Sequence, residues 1–291
     1  MSTARSGVLA AIAAFTLWGI LPIFWKLLGF LPPATIVAQR TVWSLLLLLI
    51  VLRLRGETGG LFRALKKPAT VGWHLLSGIL LSLNWTIYVW ATLHGHIIES
   101  ALGYYLNPFF NMLAGALWFG EKHNRVQLAA IALALAGVAI QLPAAGKIPW
   151  IALILAGTFA TYGVVRKKAP LEALSGLTAE TLLLAPIGIG WILLHSPSTS
   201  FGQTGLQMGL VVCSGLVTAV PLLCFGFATR KISLTTLGIL QFIAPTLQFL
   251  VGWLVYHETL TSTRLYSFTL IWLAVGVYAW DAMRKASSSS T

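Results

Sequence analysis

Two ionisable residues stand deep inside apolar runs, where ionisable residues are rare. Arg40 lies a few residues into the run 35–53, and Glu180 a similar distance into the run 175–195. A charge at the centre of a bilayer costs at least about 2.5–3.5 kcal/mol, so a group kept there is a functional candidate by default. The chemistry open to Arg40 is binding an anionic group or gating one side of a membrane. For Glu180 it is taking up and releasing a coupling proton. The structural alternative pairs Arg40 with Glu99. The two residues enter their runs from opposite faces. Their depths should then differ by roughly 10–15 Å within a hydrocarbon core about 30 Å thick, which argues against a direct bridge between them.

Amides and aromatic rings surround these charges in sequence. Asn107, Asn111, Gln241 and Gln248 flank Pro108 and Pro245. Each proline removes a backbone hydrogen bond and frees a carbonyl, which is tolerated where the helix faces protein or a cavity, so both prolines are candidate hinges. An amide turned toward lipid is costly, so the same positions should line an interior space. Trp85 and Tyr88 are three residues apart and share a helix face with Asn84 nearby. Trp18, Tyr104 and Tyr162 add further rings. A wall of rings and amides suits a small amphipathic solute. The expected solute-facing set is therefore Trp18, Arg40, Asn84, Trp85, Tyr88, Tyr104, Asn107, Asn111, Tyr162, Gln241 and Gln248, with Glu180 as the coupling residue.

Enzyme chemistry is not indicated. The chain has no HExxH, no GxSxG, no phosphate-cradling Gly-rich loop and no paired-cysteine metal spacing. His94 and His96 form the one close histidine pair, which in a loop reads as solvated. Cys213 and Cys224 fall in one helical run, about 16 Å apart by helical rise, too far to bridge. No cofactor and no metal are expected. With no nucleotide site, transport would run on a gradient, on exchange of a second solute, or passively.

The elements that must position these residues follow from composition. The 291 residues are 57% hydrophobic and only 9% charged, against roughly 25% charged in a soluble domain. The solvent for most of the chain is lipid. Stretches such as 41–52 are apolar all round, whereas barrel strands alternate, so the spanning elements are helices. Reading the runs between polar and Pro/Gly punctuation gives ten spans at 7–27, 35–53, 72–93, 99–119, 127–142, 148–166, 175–195, 206–229, 234–256 and 264–283. The first run continues past any signal-peptide cleavage pattern and reads as a retained span. With the N-terminus in the cytoplasm, fifteen basic residues fall on that side and three on the other. This matches the positive-inside rule, puts both termini in the cytoplasm and makes a nucleic-acid partner unnecessary to explain the net charge of +12.

A weak internal repeat runs at an offset near 137: Pro108 with Pro245, Glu121 with Glu258, Asn111 with Gln248, and Ala91-Thr92 with Ala228-Thr229. FTLWG (15–19) answers FATYG (159–163), and Arg40 falls opposite Glu180. The symmetric placing of Glu121 and Glu258 at span ends favours capping of helix termini. Two repeats of five spans have opposite orientation, an arrangement suited to alternating access about a midplane site. The expected organisation is a first repeat over 1–143, an inverted second repeat over 144–285 and a disordered tail over 286–291.

Certain motifs resemble a known family. FTLWG with Lys26, NPFFNMLAGALWFGE (107–121) and YGVVRKK (162–168) resemble the EamA family of the drug/metabolite transporter superfamily. QRTVWS (39–44), ALGYYLNP (101–108), VPLLCF (220–225) and TTLGILQFIAPTLQFL (235–250) are similar to its RarD subgroup, the chloramphenicol-sensitive proteins. The resemblance implies an all-α integral membrane protein of ten transmembrane helices in two inverted five-helix repeats, a central cavity and a bacterial inner-membrane location. The sequence departs from strict duplication where Glu180 stands in place of a second Arg40. The expected function is a secondary transporter exporting a small amphipathic, amino-acid-like metabolite or drug, with a proton or an exchanged solute as the coupling partner and membrane lipids as surroundings. The competing reading is a non-transporting membrane scaffold or assembly subunit. It predicts that Arg40 and the amides tolerate alanine while small lipid-facing residues do not.

Overall fold

The computed structural model describes residues 3–119, 124–140, 149–195, 201–229, 231–232 and 240–288. They form helices: α1 (Thr3–Leu27), α2 (Pro33–Leu54), α3 (Thr58–Ala64), α4 (Pro68–Leu93), α5 (Ile97–Phe119), α6 (Arg125–Ala139), α7 (Trp150–Lys168), α8 (Ala173–Leu194), α9 (Gly205–Thr229), α10 (Ile243–Leu250) and α11 (Ser262–Ser288). A π-helical turn, Val251–Val255, extends α10. Five of these helices (α1, α2, α4, α8 and α9) contain stretches long and apolar enough to cross a membrane, and three shorter apolar stretches lie in α6, in α7 and over Ile243–Val255. Chains in hydrocarbon must satisfy their backbone groups internally, which apolar helices do. The protein is a multi-pass membrane protein.

Local chemistry sets the helix ends. Pro33 and Pro68 occupy first-turn positions of α2 and α4, where a missing N–H costs nothing. Gly56 follows α2 with φ +70°, a left-handed position suited to glycine, and its N–H donates to the Arg53 carbonyl at 3.0 Å. The short α3 is an element not anticipated in the polar segment 54–71. It buries Leu61 against Leu52 of α2 and Ala179 of α8.

The surface is inverted relative to a soluble protein. Leu46, Ile50, Ile79, Ile187, Leu216 and Leu273 are exposed, while Gln39, Arg40, His74, Asn84, Asn107, Glu180 and Gln248 are buried. Inside the bundle α1 packs on α9 and α10, α7 on α4 and α5, α2 on α8 and α9, α4 on α8, and α5 on α10. The α6–α11 pair flanks this group and meets it at α5 and, through Phe268 and Trp272 of α11 against Phe249, at α10. Gly215 of α9 sits so close to Trp43 of α2 that a Cβ would overlap Trp43 and the Ser44 amide.

The two prolines expected to interrupt helices behave differently. Helix α5 runs unbroken through Pro108, whereas a turn at Phe242 precedes α10 and Pro245 lies in its first turn. Interruption therefore holds at Pro245 and not at Pro108, because a long helix packed on α7 and α10 can carry one lost backbone bond.

Candidate functional site

The face of the bundle where α1 begins is called the near face below, and the opposite one the far face. A cavity of about 780 Å³ occupies the middle of the bundle. Its walls come from α1 (Phe15, Trp18, Leu21), α4 (Leu81, Asn84, Trp85, Tyr88), α5 (Tyr104, Asn107), α7 (Phe159, Tyr162, Gly163, Arg166), α9 (Leu222, Leu223, Phe225, Phe227) and α10 with the residues before it (Gln241, Ala244, Pro245, Gln248). Arg55, Ala173 and Lys231, all exposed, also line it and bring it out to the near face. Its deep end abuts Leu21, Trp85 and Tyr88, each under 10% exposed.

Nine of the eleven expected solute-facing residues therefore share one cavity. The exceptions are Arg40, which stands one layer behind, and Asn111, whose side chain lies outside the described residues. Pro245 lines the cavity as well, and the side chain of Pro108 is likewise outside the described residues.

Several of these groups also hold the frame together. Asn84 Nδ2 donates to the Leu155 carbonyl at 2.9 Å and to Thr158 Oγ1 at 2.8 Å, tying α4 to α7. Tyr104 donates its hydroxyl to Asn84 Oδ1 at 3.4 Å. Gln248 Nε2 donates to the Trp18 carbonyl at 3.1 Å, tying α10 to α1. Buried polar groups bonded in this way hold their geometry, since breaking them strands a desolvated partner. The rings form a chain of edge contacts: Trp25–Trp85 at 6.0 Å, Trp85–Tyr88 at 5.9 Å and Tyr88–Tyr104 at 5.5 Å between centroids.

Arg40 is 6% exposed. Its Nε donates to Thr218 Oγ1 of α9 at 3.1 Å, and its guanidinium carbon sits 3.8 Å from the Trp85 ring centroid. Glu99, its proposed structural partner, instead pairs with His96 one helical turn away at 3.6 Å. That alternative is corrected: Glu99 lies in the first turn of α5, beside its own helical neighbour.

Glu180 is 1% exposed and sits at the centre of a polar cluster. Its Oε1 accepts from Ser77 at 2.7 Å and lies 3.2 Å from Arg166 Nη1 and 3.6 Å from His74 Nδ1. Tyr162 donates to its Oε2 at 3.3 Å. A carboxylate taken out of water needs such partners, because its desolvation amounts to several kcal/mol. Gly176 makes the cluster possible: a Cβ there would overlap the Arg166 guanidinium. Arg40 and Glu180 form no ion pair with each other, yet both line one small side pocket between α2, α4, α8 and α9.

Sequence reasoning missed His74, Ser77, Arg166 and Thr218. His74 and Arg166 read as charges near span ends, and the serine and threonine as ordinary helix residues. The signal available was the spacing: His74 and Ser77 are three apart, and Tyr162 and Arg166 four apart, so each pair shares a helix face.

At the far face Glu258 caps α5. Its Oε1 accepts from the Ile97 N–H at 2.7 Å and its Oε2 from the Ile98 N–H at 2.9 Å. His257, in a left-handed conformation with φ 51°, precedes it. Its counterpart Glu121 lies outside the described residues.

Comparison with known proteins agrees with this architecture. The sequence profile described as the EamA-like transporter family matches residues 5–142. An uncharacterized transporter of Pseudomonas aeruginosa is 42% identical, over 98% of this chain and 97% of its own. The uncharacterized transporter YojE of Bacillus subtilis is 38% identical, over 99% and 98%. Protein RarD of Escherichia coli is 36% identical, over 96% and 95%. A crystal structure of 20% sequence identity shares the fold, with a TM-score of 0.65 over 96% of this chain and 98% of the other.

Proposed function

The chain belongs to the EamA-like transporter family, and on that premise we propose that it is a secondary transporter working by alternating access. The reading is an exporter, in a bacterial inner membrane, of a small amphipathic metabolite or drug. The near face is cytoplasmic in this reading, in keeping with the excess of basic residues there. The observation that carries it is the 780 Å³ cavity, walled by rings and amides and lined at the near face by the exposed Arg55, Ala173 and Lys231. A mouth on the cytoplasmic side suits loading from within.

Two inverted repeats, residues 1–143 and 144–285, belong to the same reading. Its support is the pattern of helix packing. Exchanging α1 with α7, α2 with α8, α4 with α9, α5 with α10 and α6 with α11 turns the α1–α9 contact into α7–α4, α2–α9 into α8–α4, and α5–α7 into α10–α1. The α2–α8, α5–α10 and α6–α11 contacts map onto themselves. A bundle with such exchangeable contacts can close at one face as it opens at the other.

Glu180 is the coupling residue in this account, with a proton as the coupling ion. His74, 3.6 Å away, is a second group able to hold that proton. Purified protein in proteoliposomes, assayed for uptake and counterflow with a broad metabolite panel, tests the whole. Saturable flux that collapses when the pH gradient is dissipated is expected. Absence of movement for every solute contradicts transport. Flux indifferent to the gradient but dependent on a solute on the opposite side replaces the proton with an exchanged solute.

A further inference from the structure

Beside the large cavity lies a small, mainly apolar annex of about 30 Å³ into which a few polar side chains are set, enough for one water or the oxygens of a head group. Leu81, Leu177 and Leu222 line both spaces and stand between them, together with Arg40 stacked on Trp85 and Glu180 bonded to Tyr162 and Arg166. The annex is polarised. At one end are Arg40 and Thr218; because the Thr218 oxygen accepts from Arg40 Nε, its own proton remains for donation. At the other end Thr181 uses its proton on the Leu177 carbonyl at 2.7 Å and offers only lone pairs, and Glu180 is committed to Ser77 and Arg166.

Arg40 is thus a buried cation with no carboxylate in ion-pairing range among the described residues. A buried cation without a counter-charge is unfavourable and is completed by a ligand of opposite sign. The main cavity has the same bias. Arg55 and Lys231 line it with no aspartate or glutamate among its described lining residues, whereas its third cation, Arg166, is paired with Glu180 from behind the wall. The positive-inside tendency accounts for Arg55 and Lys231 at the near-face mouth. It does not account for Arg40, which enters the bundle from the far face.

We propose that the solute is an organic carboxylate whose head group docks against Arg40 and Thr218 in the annex while its apolar body lies along Trp85 and Tyr104. This rests on the transport reading for its biological meaning, but the binding site can be tested apart from it. The ring of Trp85 already carries the guanidinium on its face, so a solute reaching the annex meets charge and ring together.

The test uses four solutes on one phenylpropyl skeleton, bearing a carboxylate, an ammonium, both, or a hydroxyl. Binding is read as the ligand-induced shift in thermal unfolding of purified full-length protein, and flux is read in proteoliposomes. The carboxylate is expected to bind about tenfold or more tighter than the ammonium or the zwitterion, the size of one charge-assisted hydrogen-bonded contact. Arg40→Gln should erase the preference, and Arg40→Lys should keep part of it. If Arg40→Gln does not fold, Thr218→Val is read instead, with a smaller loss expected.

Equal or tighter binding of the ammonium or zwitterion overturns the proposal. So does the absence of a carboxylate-dependent shift, or a preference that survives both Arg40→Gln and Thr218→Val. Arg40-dependent carboxylate binding with no flux would sink the transport reading while keeping the site. Flux without charge preference would do the reverse.

Discussion

The two ends of the central cavity are built on opposite principles. At the far end Leu21, Trp25, Leu28, Leu31, Trp85 and Tyr88 form one buried apolar cluster, with Ile36, Val37 and Val89 packed into it. Glu258 fastens the loop before α11 to the start of α5. Lys26 donates to the Leu93 carbonyl at 3.4 Å and lies 5.1 Å from the Tyr256 ring centroid. At the near end Arg55, Ala173 and Lys231 stay exposed around the mouth, and the polar contacts there gather on Glu180 below it. One end is closely packed apolar side chains, and the other keeps exposed basic residues beside the cavity. A transporter that alternates must be able to trade these conditions, so each contact on one side has a consequence for the other.

Substitutions that break this contrast should differ in size. Trp85→Ala removes the ring that joins Trp25 to Tyr88 and supports Arg40. It should cost about 3–5 kcal/mol of stability and admit water from the far face, checked by thermal unfolding and by thiol labelling from that side. Glu180→Ala leaves Arg166 and His74 without their carboxylate and should cost about 3 kcal/mol, the lower end for a broken buried pair because the Arg166 side chain is partly exposed on the cavity. Its unfolding midpoint should fall, and gradient-driven flux should vanish while exchange survives. Gly176→Ala forces the Arg166 guanidinium aside and should cost about 1–3 kcal/mol. The same melting assay reads it, and paired with Arg166→Ala the two losses should fall short of additive. Glu258→Gln weakens the α5 cap by about 1 kcal/mol. Its sharper readout is increased far-face labelling at unchanged near-face labelling.

How much of this was legible in the sequence follows from which interactions are local. The all-helical character was legible, because in lipid the apolar runs alone demand helices, and five of the expected spans are helices long and apolar enough to cross a membrane. The amides at 84, 107, 241 and 248 were traceable to an interior space, since turning them to lipid would strand their hydrogen bonds. The partners of Glu180 were not legible. They come from α4 and α7, and nothing within α8 specifies which helices pack against it. Arg40 and Glu180 were expected at different depths, and they do avoid pairing. That both border one annex depends on the crossing of α2, α4, α8 and α9, which sequence spacing does not encode. Helix α3 was missed because seven residues are too few to display a period. Pro108 looked like an interruption because a proline's local cost is readable, whereas the tertiary packing that overrides it is not.

The central claim is that the bundle holds a wet cavity reached from the near face and sealed from the far one. Leu223 lines that cavity without belonging to the polar frame, so Leu223→Cys can report on it once Cys213 and Cys224 have been replaced. A membrane-impermeant thiol reagent should label this cysteine in inside-out vesicles, where the cytoplasmic face is outermost, and leave it untouched in right-side-out vesicles. Labelling confined to right-side-out vesicles, or absent from both although denatured protein reacts, would contradict the account.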